Sequence, residues 1–296
     1  MEYLFNKLSV AEYPPRMSAT LSLDAIDDLK LYLDLNPDTM LFVSLLQDKF
    51  NKCYEGEDLD ILKEIPNVKR IYFGTSYVKN FSGLYYLKEL KELINLYDEM
   101  GIDYSHFSEI EKLEINWSKK DKDLFTRFSL KSLRIHKYKS QSEDLIEFSN
   151  LNNLNNLWII QSTVSSINGI EKIPLLKKMT LAYNSKLKIC LNNLNFVISE
   201  IDELVIESCK NIGLDFVKIF PNIKRLEIRN QGKISSLRPI LEGLPKLEKL
   251  FVGAGTIIEE ADNKYYNDFD NIRQFFFQDT KNHYLKCKDL NKEWIG

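Results

Sequence analysis

The sequence predicts an α/β solenoid in which short strands from successive repeats form one parallel sheet and short helical turns return the chain. Two observations support this prediction: the form apolar-x-x-apolar-x-apolar recurs along the chain, and the copies are 20 to 25 residues apart. A unit of this length holds one strand and one return segment, which bury their apolar sides only by stacking on neighbouring units. The copies start at Val68, Leu90, Ile110, Leu130, Leu154, Leu176, Ile201, Ile223, Leu247 and Ile272.

The repeat columns are too uniform to follow from composition. The first and fourth positions are apolar in all ten copies, and the sixth position and the one three residues upstream are apolar in nine each, so 38 of 40 positions are apolar in a chain that is 44% hydrophobic. The exceptions are Asn95 and Arg127. We expect the fourth and sixth side chains to point into the core, which leaves the third, fifth and seventh on the other face of the sheet.

Two further columns mark where each strand begins and ends. Proline two residues before a copy stops the return segment from continuing as a helix. It occurs at Pro66, Pro174, Pro221 and Pro245. Eight residues after each start the side chains are mostly short and polar, although Tyr138 is an exception. We expect these side chains to bind turning backbone groups inside the coil.

These columns together resemble the leucine-rich repeat. The segment LLKKMTLAYNSKL carries Asn184 and Leu187 at the family's asparagine and leucine positions, and IDELVIESCKNI carries Cys209 at the first of them. The resemblance covers about residues 57–285, and the short units are similar to the bacterial and phosphatase-regulator types. It implies a leucine-rich repeat solenoid (horseshoe), with the parallel β-sheet on the concave side and 3₁₀ or short helices on the convex side.

A solenoid needs a cap at each end, because its last core layer would otherwise face water. We predict an N-terminal cap at residues 1–56, a solenoid of about ten units at 57–285 and a C-terminal cap at 286–296. In the first cap, 30–35 and 40–46 are predicted to be two strands joined by a turn, with a loose segment at 12–17 and a helix around 47–64. The predicted covering residues at the other end are Tyr284, Leu285, Leu290 and Trp294.

Charge and cysteine content limit the compartment and the partners. The chain has 40 Lys+Arg against 43 Asp+Glu, a net charge of −3, which argues against binding nucleic acid or membrane by bulk charge. It begins without the pattern of a secretory signal and has no apolar run long enough to span a membrane. Its four cysteines are widely spaced, which favours a reduced cytoplasm, and Cys190 and Cys209 are expected to pack as small hydrophobes.

The outward columns contain the candidate binding site. A solvated sheet face is expected to carry Lys, Glu, Thr and Ser, whereas these columns place aromatic residues beside arginine, the composition of protein-binding hot spots. The predicted partner-binding residues are Tyr72, Glu114, Trp117, Arg134, His136, Trp158, Tyr183, Glu207, Glu227, Arg229, Phe251 and Phe276. The alternative is structural: a cap or loop covers the aromatics, and the charges around Glu227 pair with Glu203 and Glu207 on neighbouring strands.

Catalytic motifs have little support. His106, His136 and His283 share no metal-ligand spacing, so structural roles are expected for them. The segment Val252-Gly253-Ala254-Gly255 lacks the third glycine of a dinucleotide-binding loop, because that position is Ile258. We therefore predict no metal, no cofactor and no enzymatic activity.

The predicted function is that of a non-catalytic, cytoplasmic protein-binding module. In its general character the chain is similar to bacterial immunity proteins, a resemblance that implies neutralisation of a secreted or contact-delivered toxin through the concave face. The alternatives are an intracellular leucine-rich repeat scaffold or phosphatase-type regulator and, less favoured, an enzyme with a site on the concave face or in a cap. Neither nucleic acid nor membrane is a predicted partner, and the oligomeric state is left open.

Overall fold

The structure of the protein is a computed structural model that describes residues 8, 10–13, 15–43, 58–74, 78, 80–96, 101–189, 196–253, 255–290 and 292. The chain divides into two compact units, Met1–His136 and Lys137–Gly296. In both units, parallel strands alternate with short 3₁₀ or α-helical segments.

The first unit begins with an antiparallel hairpin of β1 (Val10–Tyr13) and β2 (Arg16–Thr20), which is followed by helix α1 (Ile26–Leu35). From β2 onward the strands are parallel and lie in chain order. They are β3 (Met40–Val43), β4 (Arg70–Phe73), β5 (Glu92–Asn95), β6 (Lys112–Asn116) and β7 (Ser132–His136). The 3₁₀ helices are Leu23–Ala25, Asp60–Glu64, Ser82–Tyr86, Tyr104–His106 and Leu124–Thr126.

The second unit repeats the plan and adds a small second sheet. Its main strands are β8 (Asn156–Ile160), β9 (Lys178–Ala182), β10 (Glu203–Glu207), β11 (Arg225–Arg229), β13 (Lys249–Gly253) and β15 (Gln274–Phe277). The small sheet pairs β12 (Gly232–Ile234) with β14 (Thr256–Ile258). Between the strands are α2 (Phe216–Ile219), α3 (Arg238–Gly243) and the 3₁₀ helices Ile146–Asn150, Ile170–Lys172, Lys264–Asp268 and Cys287–Asp289.

The predicted inward columns form the core of both units. The fourth and sixth residues of all ten repeats are at most 3% exposed, and Asn95 is among them at 2%. The pairing is in register, so that Leu204 lies between Met179 and Leu226 on the adjacent strands. Because equivalent columns stack, each buried large side chain contributes about 1.5–3 kcal/mol of transfer free energy. The predicted register is confirmed.

The proline column ends the return segments as predicted. The 3₁₀ helix Asp60–Glu64 and helix α2 both end two residues before a proline, at Pro66 and Pro221. The 3₁₀ helix Ile170–Lys172 and helix α3 end in the same way before Pro174 and Pro245. The chain is thereby extended where each new strand begins.

A buried polar ladder closes the turn that follows the strands. Asn184 is 0% exposed; its Oδ1 accepts hydrogen bonds from the Ser162 backbone N–H at 2.8 Å and from the Ser162 Oγ at 2.7 Å. Its Nδ2 donates to the Ile159 carbonyl at 2.8 Å, and its own backbone N–H donates to the Cys209 Sγ at 3.4 Å. The predicted role of this column is confirmed here, as is the burial of Cys209, while Cys190 lies outside the described residues.

Two predictions for the first cap are wrong. Residues 30–35 belong to helix α1 and not to a strand, because Leu29, Tyr32 and Leu33 have helical spacing and are buried on one face. The described residues of 12–17 are not loose, since Glu12 on β1 pairs with Met17 on β2 and Tyr13 pairs with Arg16. Of the other predicted elements, 40–43 is a strand and 60–64 is a 3₁₀ helix, while 44–57 lies outside the described residues.

The C-terminal covering residues are only partly as predicted. Leu290 is buried and Leu285 half-buried, but Tyr284 is 64% exposed and does not cover the core. His283 takes the interior position instead: its Nδ1 accepts from the Thr280 N–H at 3.2 Å and its Nε2 donates to the Ile258 carbonyl at 2.8 Å. Trp294 lies outside the described residues, and the division into caps and solenoid stays a prediction.

Candidate functional site

The outward columns define one surface on each unit. We call the outward side chains of β4–β7 the first face and those of β8–β11, β13 and β15 the second face. All twelve predicted partner-binding residues are half-buried or exposed, in contrast with the buried columns that alternate with them. Tyr72, Glu114, Trp117, Arg134 and His136 belong to the first unit, and the other seven belong to the second.

One end of the first face is apolar. The Tyr72 ring is half-buried, and its centroid lies 4.7 Å from that of Phe42 on β3. Ile94, the next residue in this row, is 8% exposed. Tyr72 therefore packs against its neighbours in this row.

The other end of the first face is charged. Arg134 Nη1 lies 3.2 Å from Glu114 Oε1, and His136 Nε2 lies 3.8 Å from the same oxygen. The Trp117 backbone N–H donates to the His136 carbonyl at 2.8 Å, which fixes the backbone of this half-buried residue at the end of the strands. Burial raises the pKa of Glu114, but the contacts with His136 and Arg134 lower it by more, so the net pKa is below its ordinary value of 4.5.

We expect Glu114→Gln to lower the stability of the protein at neutral pH by less than about 1 kcal/mol, because the carboxylate is only half-buried. A folded-state pKa below the unfolded value gives a stabilisation that is present above pH 4.5 and lost as pH falls through the lower folded value. Urea unfolding at neutral pH and well below pH 4.5 measures this difference. If the free energies of unfolding of wild type and Glu114→Gln differed by the same amount at both pH values, the ionic role of Glu114 would be contradicted.

Sequence analysis missed a second charged cluster at the start of the first-face strands. Arg16 Nη1 and Arg70 Nη1 lie 2.6 Å and 2.8 Å from Glu92 Oε2. Arg70 Nη2 also lies 3.2 Å from Asp38 Oδ1. Arg70 and Glu92 occupy the third repeat position, an outward column whose order along the chain was the available signal. Arg16 was not predictable in this way because it precedes the repeats.

On the second face Glu227 forms its ion pairs with arginines of its own strand, β11. Glu227 Oε1 accepts from Arg229 Nε at 2.8 Å and also contacts Arg229 Nη2, while Arg225 Nη2 lies 4.0 Å from Glu227 Oε2. The alternative that these charges pair with Glu203 and Glu207 is wrong: Lys178 Nζ lies 2.8 Å from Glu203 Oε1, and the Tyr183 hydroxyl donates to Glu207 Oε1 at 2.7 Å.

The aromatic residues of the second face remain accessible. Tyr183 is 48% and Phe276 37% exposed, and Trp158 and Phe251 are half-buried. Arg225, a third-position residue that the sequence analysis did not select, places its guanidinium 5.4 Å from the centroid of the Phe251 ring. Such an arginine–ring contact is attractive by about 0.5–1 kcal/mol at an exposed site.

Two backbone features set the positions of these rings. Tyr183 has a φ of +57°, which turns the chain at the end of β9. A Cβ added to Gly253 would lie 3.2 Å from the Phe276 ring, so glycine leaves the space that this ring occupies. The resulting surface combines accessible rings with charges that are already paired. Tyrosine, tryptophan and arginine are the residue types enriched at the hot spots of protein interfaces.

The described residues give no arrangement for metal binding. They contain no group of three or more His, Cys, Asp or Glu side chains placed to hold an ion. His106 stacks on Tyr85 with ring centroids 4.2 Å apart. His136 Nε2 lies 3.8 Å from Glu114 Oε1, and both ring nitrogens of His283 are hydrogen-bonded. In the part of the chain that the structure covers, no helix has the length and apolar character needed to cross a membrane.

Comparison with known proteins finds similar solved structures. An internalin from Listeria monocytogenes is similar at a TM-score of 0.50 and 15% identity, over 91% of this chain and 93% of the internalin. The functional domain of InlJ from Listeria monocytogenes has a TM-score of 0.35 at 15% identity, over 74% and 61%. TLR13 in its ssRNA13 complex has a TM-score of 0.45 at 14% identity, over 93% and 51%. No protein-family model and no curated protein sequence matches the chain.

The internalin match, the repeat register and the polar ladder define the class of the fold. The chain has the α/β leucine-rich repeat solenoid fold, with parallel strands and mostly 3₁₀ return segments. The fold class predicted from the sequence is confirmed. Unrelated functions use the same fold, so the fold class alone does not define a function.

Proposed function

We propose that the chain is a protein-binding module that uses its outward strand columns as the binding surface. The observation that carries this proposal is the second face, where Tyr183 and Phe276 are accessible beside the Phe251–Arg225 contact. Aromatic and arginine residues are the types that dominate binding energy at protein interfaces. Adjacent strands are about 4.8 Å apart, so outward side chains at the same repeat position lie close enough together to contact one partner surface.

Preorganisation adds a second reason. Glu227 and Arg229 are already joined, and Tyr183 is already bound to Glu207. Ordering one flexible side chain on binding costs about 0.5–1.5 kcal/mol, so groups that are fixed beforehand lose less. The cost of burying these charges is also smaller, because each brings its partner with it.

The finer proposal is that the partner is a bacterial toxin and the chain its immunity protein. On this proposal the face covers the toxin's substrate site and neutralises it by occlusion. The support is compositional: a net charge of −3 is compatible with a basic toxin, and the outward columns offer paired charges beside aromatic rings. A scaffold or phosphatase-type regulator would use the same face on a different partner.

Co-expression with a toxin encoded by a neighbouring gene tests the finer proposal. We expect restored growth and a stable complex that purifies together. A chain that neither restores growth nor forms this complex is not the immunity protein for that toxin. Capture of an endogenous signalling protein through the same face would then favour the scaffold or regulator.

The face itself is tested by the double substitution Trp158→Ala and Arg229→Ala. We expect the complex to weaken by more than about 1 kcal/mol, measured by calorimetry, while the folded protein keeps its unfolding midpoint. The matched control is Leu175→Ala with Lys218→Ala, since both residues are exposed on return segments of the same unit. Equal affinity of both double variants would place the interface elsewhere.

A further inference from the structure

A cavity of about 210 Å³ opens between two successive repeats of the second unit, on the inward side of the sheet. Its floor consists of Ile206, Phe216, Ile228 and Ile234, each at most 9% exposed, and Gln231 and Ser235 add polar groups to its walls. Ile206 and Ile228 are sixth-position residues of β10 and β11, so the cavity reaches the core and lies behind the second face.

The cavity exists because the stacking is incomplete at this point. In the preceding repeats the Lys188 N–H donates to the Ser165 carbonyl at 3.0 Å, and in the following ones β12 pairs with β14. Between 210–214 and 231–235, all of which the structure describes, no backbone hydrogen bond is formed. Gly213 widens the gap, since a Cβ added there would meet no atom within 4 Å.

The mouth of the cavity carries positive charge. Lys210 and Lys233 both line it. Lys233 Nζ lies 2.7 Å from Glu259 Oε1, which neutralises it. Lys210 forms no ion pair with any residue that the structure describes, so its charge is available to a ligand at the opening.

We infer that this cavity binds a small carboxylate whose apolar body has the size of a six-carbon chain or a phenyl ring. An apolar cavity of about 150 Å³ is large enough to hold benzene, so this one accommodates a body of that size. The body would cover the isoleucine side chains of the floor, and the carboxylate would lie at the mouth beside Lys210. A charged hydrogen bond of this kind is stronger than a neutral one.

Titration with sodium hexanoate, observed through ¹³C-labelled isoleucine methyl groups, tests the site. We expect saturable shifts at Ile206, Ile228 and Ile234, and none at Ile159, which is in the core of another repeat. Lys210→Glu should weaken binding about tenfold or more, because it replaces an attraction with a repulsion. Lys218→Glu, the same charge change on α2 away from the cavity, should leave the affinity unchanged.

Two further arms separate the site from unspecific binding. Gly213→Leu has room for its Cβ and should block the cavity, and hexan-1-ol should bind more weakly than hexanoate. Shifts that spread over all isoleucines, or equal affinity for wild type, Lys210→Glu and Gly213→Leu, would overturn the inference. The Trp158→Ala, Arg229→Ala protein should bind hexanoate normally, so a failed protein-binding proposal and a failed cavity proposal are distinguishable.

Discussion

Asn184→Ala is expected to destabilise the protein by about 3–5 kcal/mol, among the largest effects for a single substitution. The asparagine satisfies the Ser162 N–H and the Ile159 carbonyl, and it is fully buried. Alanine would leave both groups without this partner in a fully buried site. Each such buried orphan costs about 1–3 kcal/mol, and the void left by the amide adds to this. Urea unfolding followed by circular dichroism measures the loss.

The matched control for this prediction is Asn211→Ala. Asn211 Nδ2 also donates to a backbone carbonyl, that of Ser185, but this bond is exposed. Water replaces the lost partner there, so we expect less than about 1 kcal/mol. Equal losses for the two variants would mean that the ladder is no more important than an ordinary surface hydrogen bond.

Gly169→Ala is expected to cost about 3 kcal/mol or more, through two separate effects. Gly169 has a φ of +102°, a conformation that L side chains rarely adopt. An added Cβ would also lie 2.5 Å from the Ile146 Cα and 2.6 Å from its N, which is inside any real contact distance. Because these are backbone atoms of the preceding 3₁₀ helix, the two return segments would have to move apart.

Gly213→Ala provides the comparison, because its added Cβ meets no atom within 4 Å. We expect it to change the free energy of unfolding by no more than about 0.5 kcal/mol. Thermal unfolding of both variants, with wild type in parallel, measures the contrast. A Gly169→Ala protein as stable as the Gly213→Ala protein would show that the close approach at Ile146 is not rigid.

The core was predictable because one periodic constraint determines it. The fourth and sixth columns had to be buried together, and even Asn95 follows them in spite of its polarity. Helix α1 was mistaken for a strand because Leu29, Tyr32 and Leu33 satisfy a helical spacing that competes with the strand reading of the same apolar residues. A prediction from apolar periodicity is thus most secure where the pattern recurs in many copies and least secure in a segment that occurs once.

The faces were predictable by column, but their contacts were not. The repeat register places Glu227 and Arg229 outward, yet it does not state whether they pair within a strand or across strands. That choice depends on side-chain torsions and on the neighbouring Arg225, which itself leans over Phe251. The cavity beside Lys210 could not be predicted from the sequence either. It lies where two neighbouring turns form no backbone hydrogen bond with each other, and the repeat pattern does not specify such bonds.

The polar ladder also gives the stack a direction. The turn at Ser162 is closed by Asn184 from the following repeat, and the Asn184 N–H is in turn bound by Cys209 from the one after. In each of these repeats, the hydrogen bond that closes the turn is therefore supplied by the next repeat towards the C-terminus. A substitution at a ladder residue therefore alters the turn of the preceding repeat, because that is where its side-chain hydrogen bonds are made.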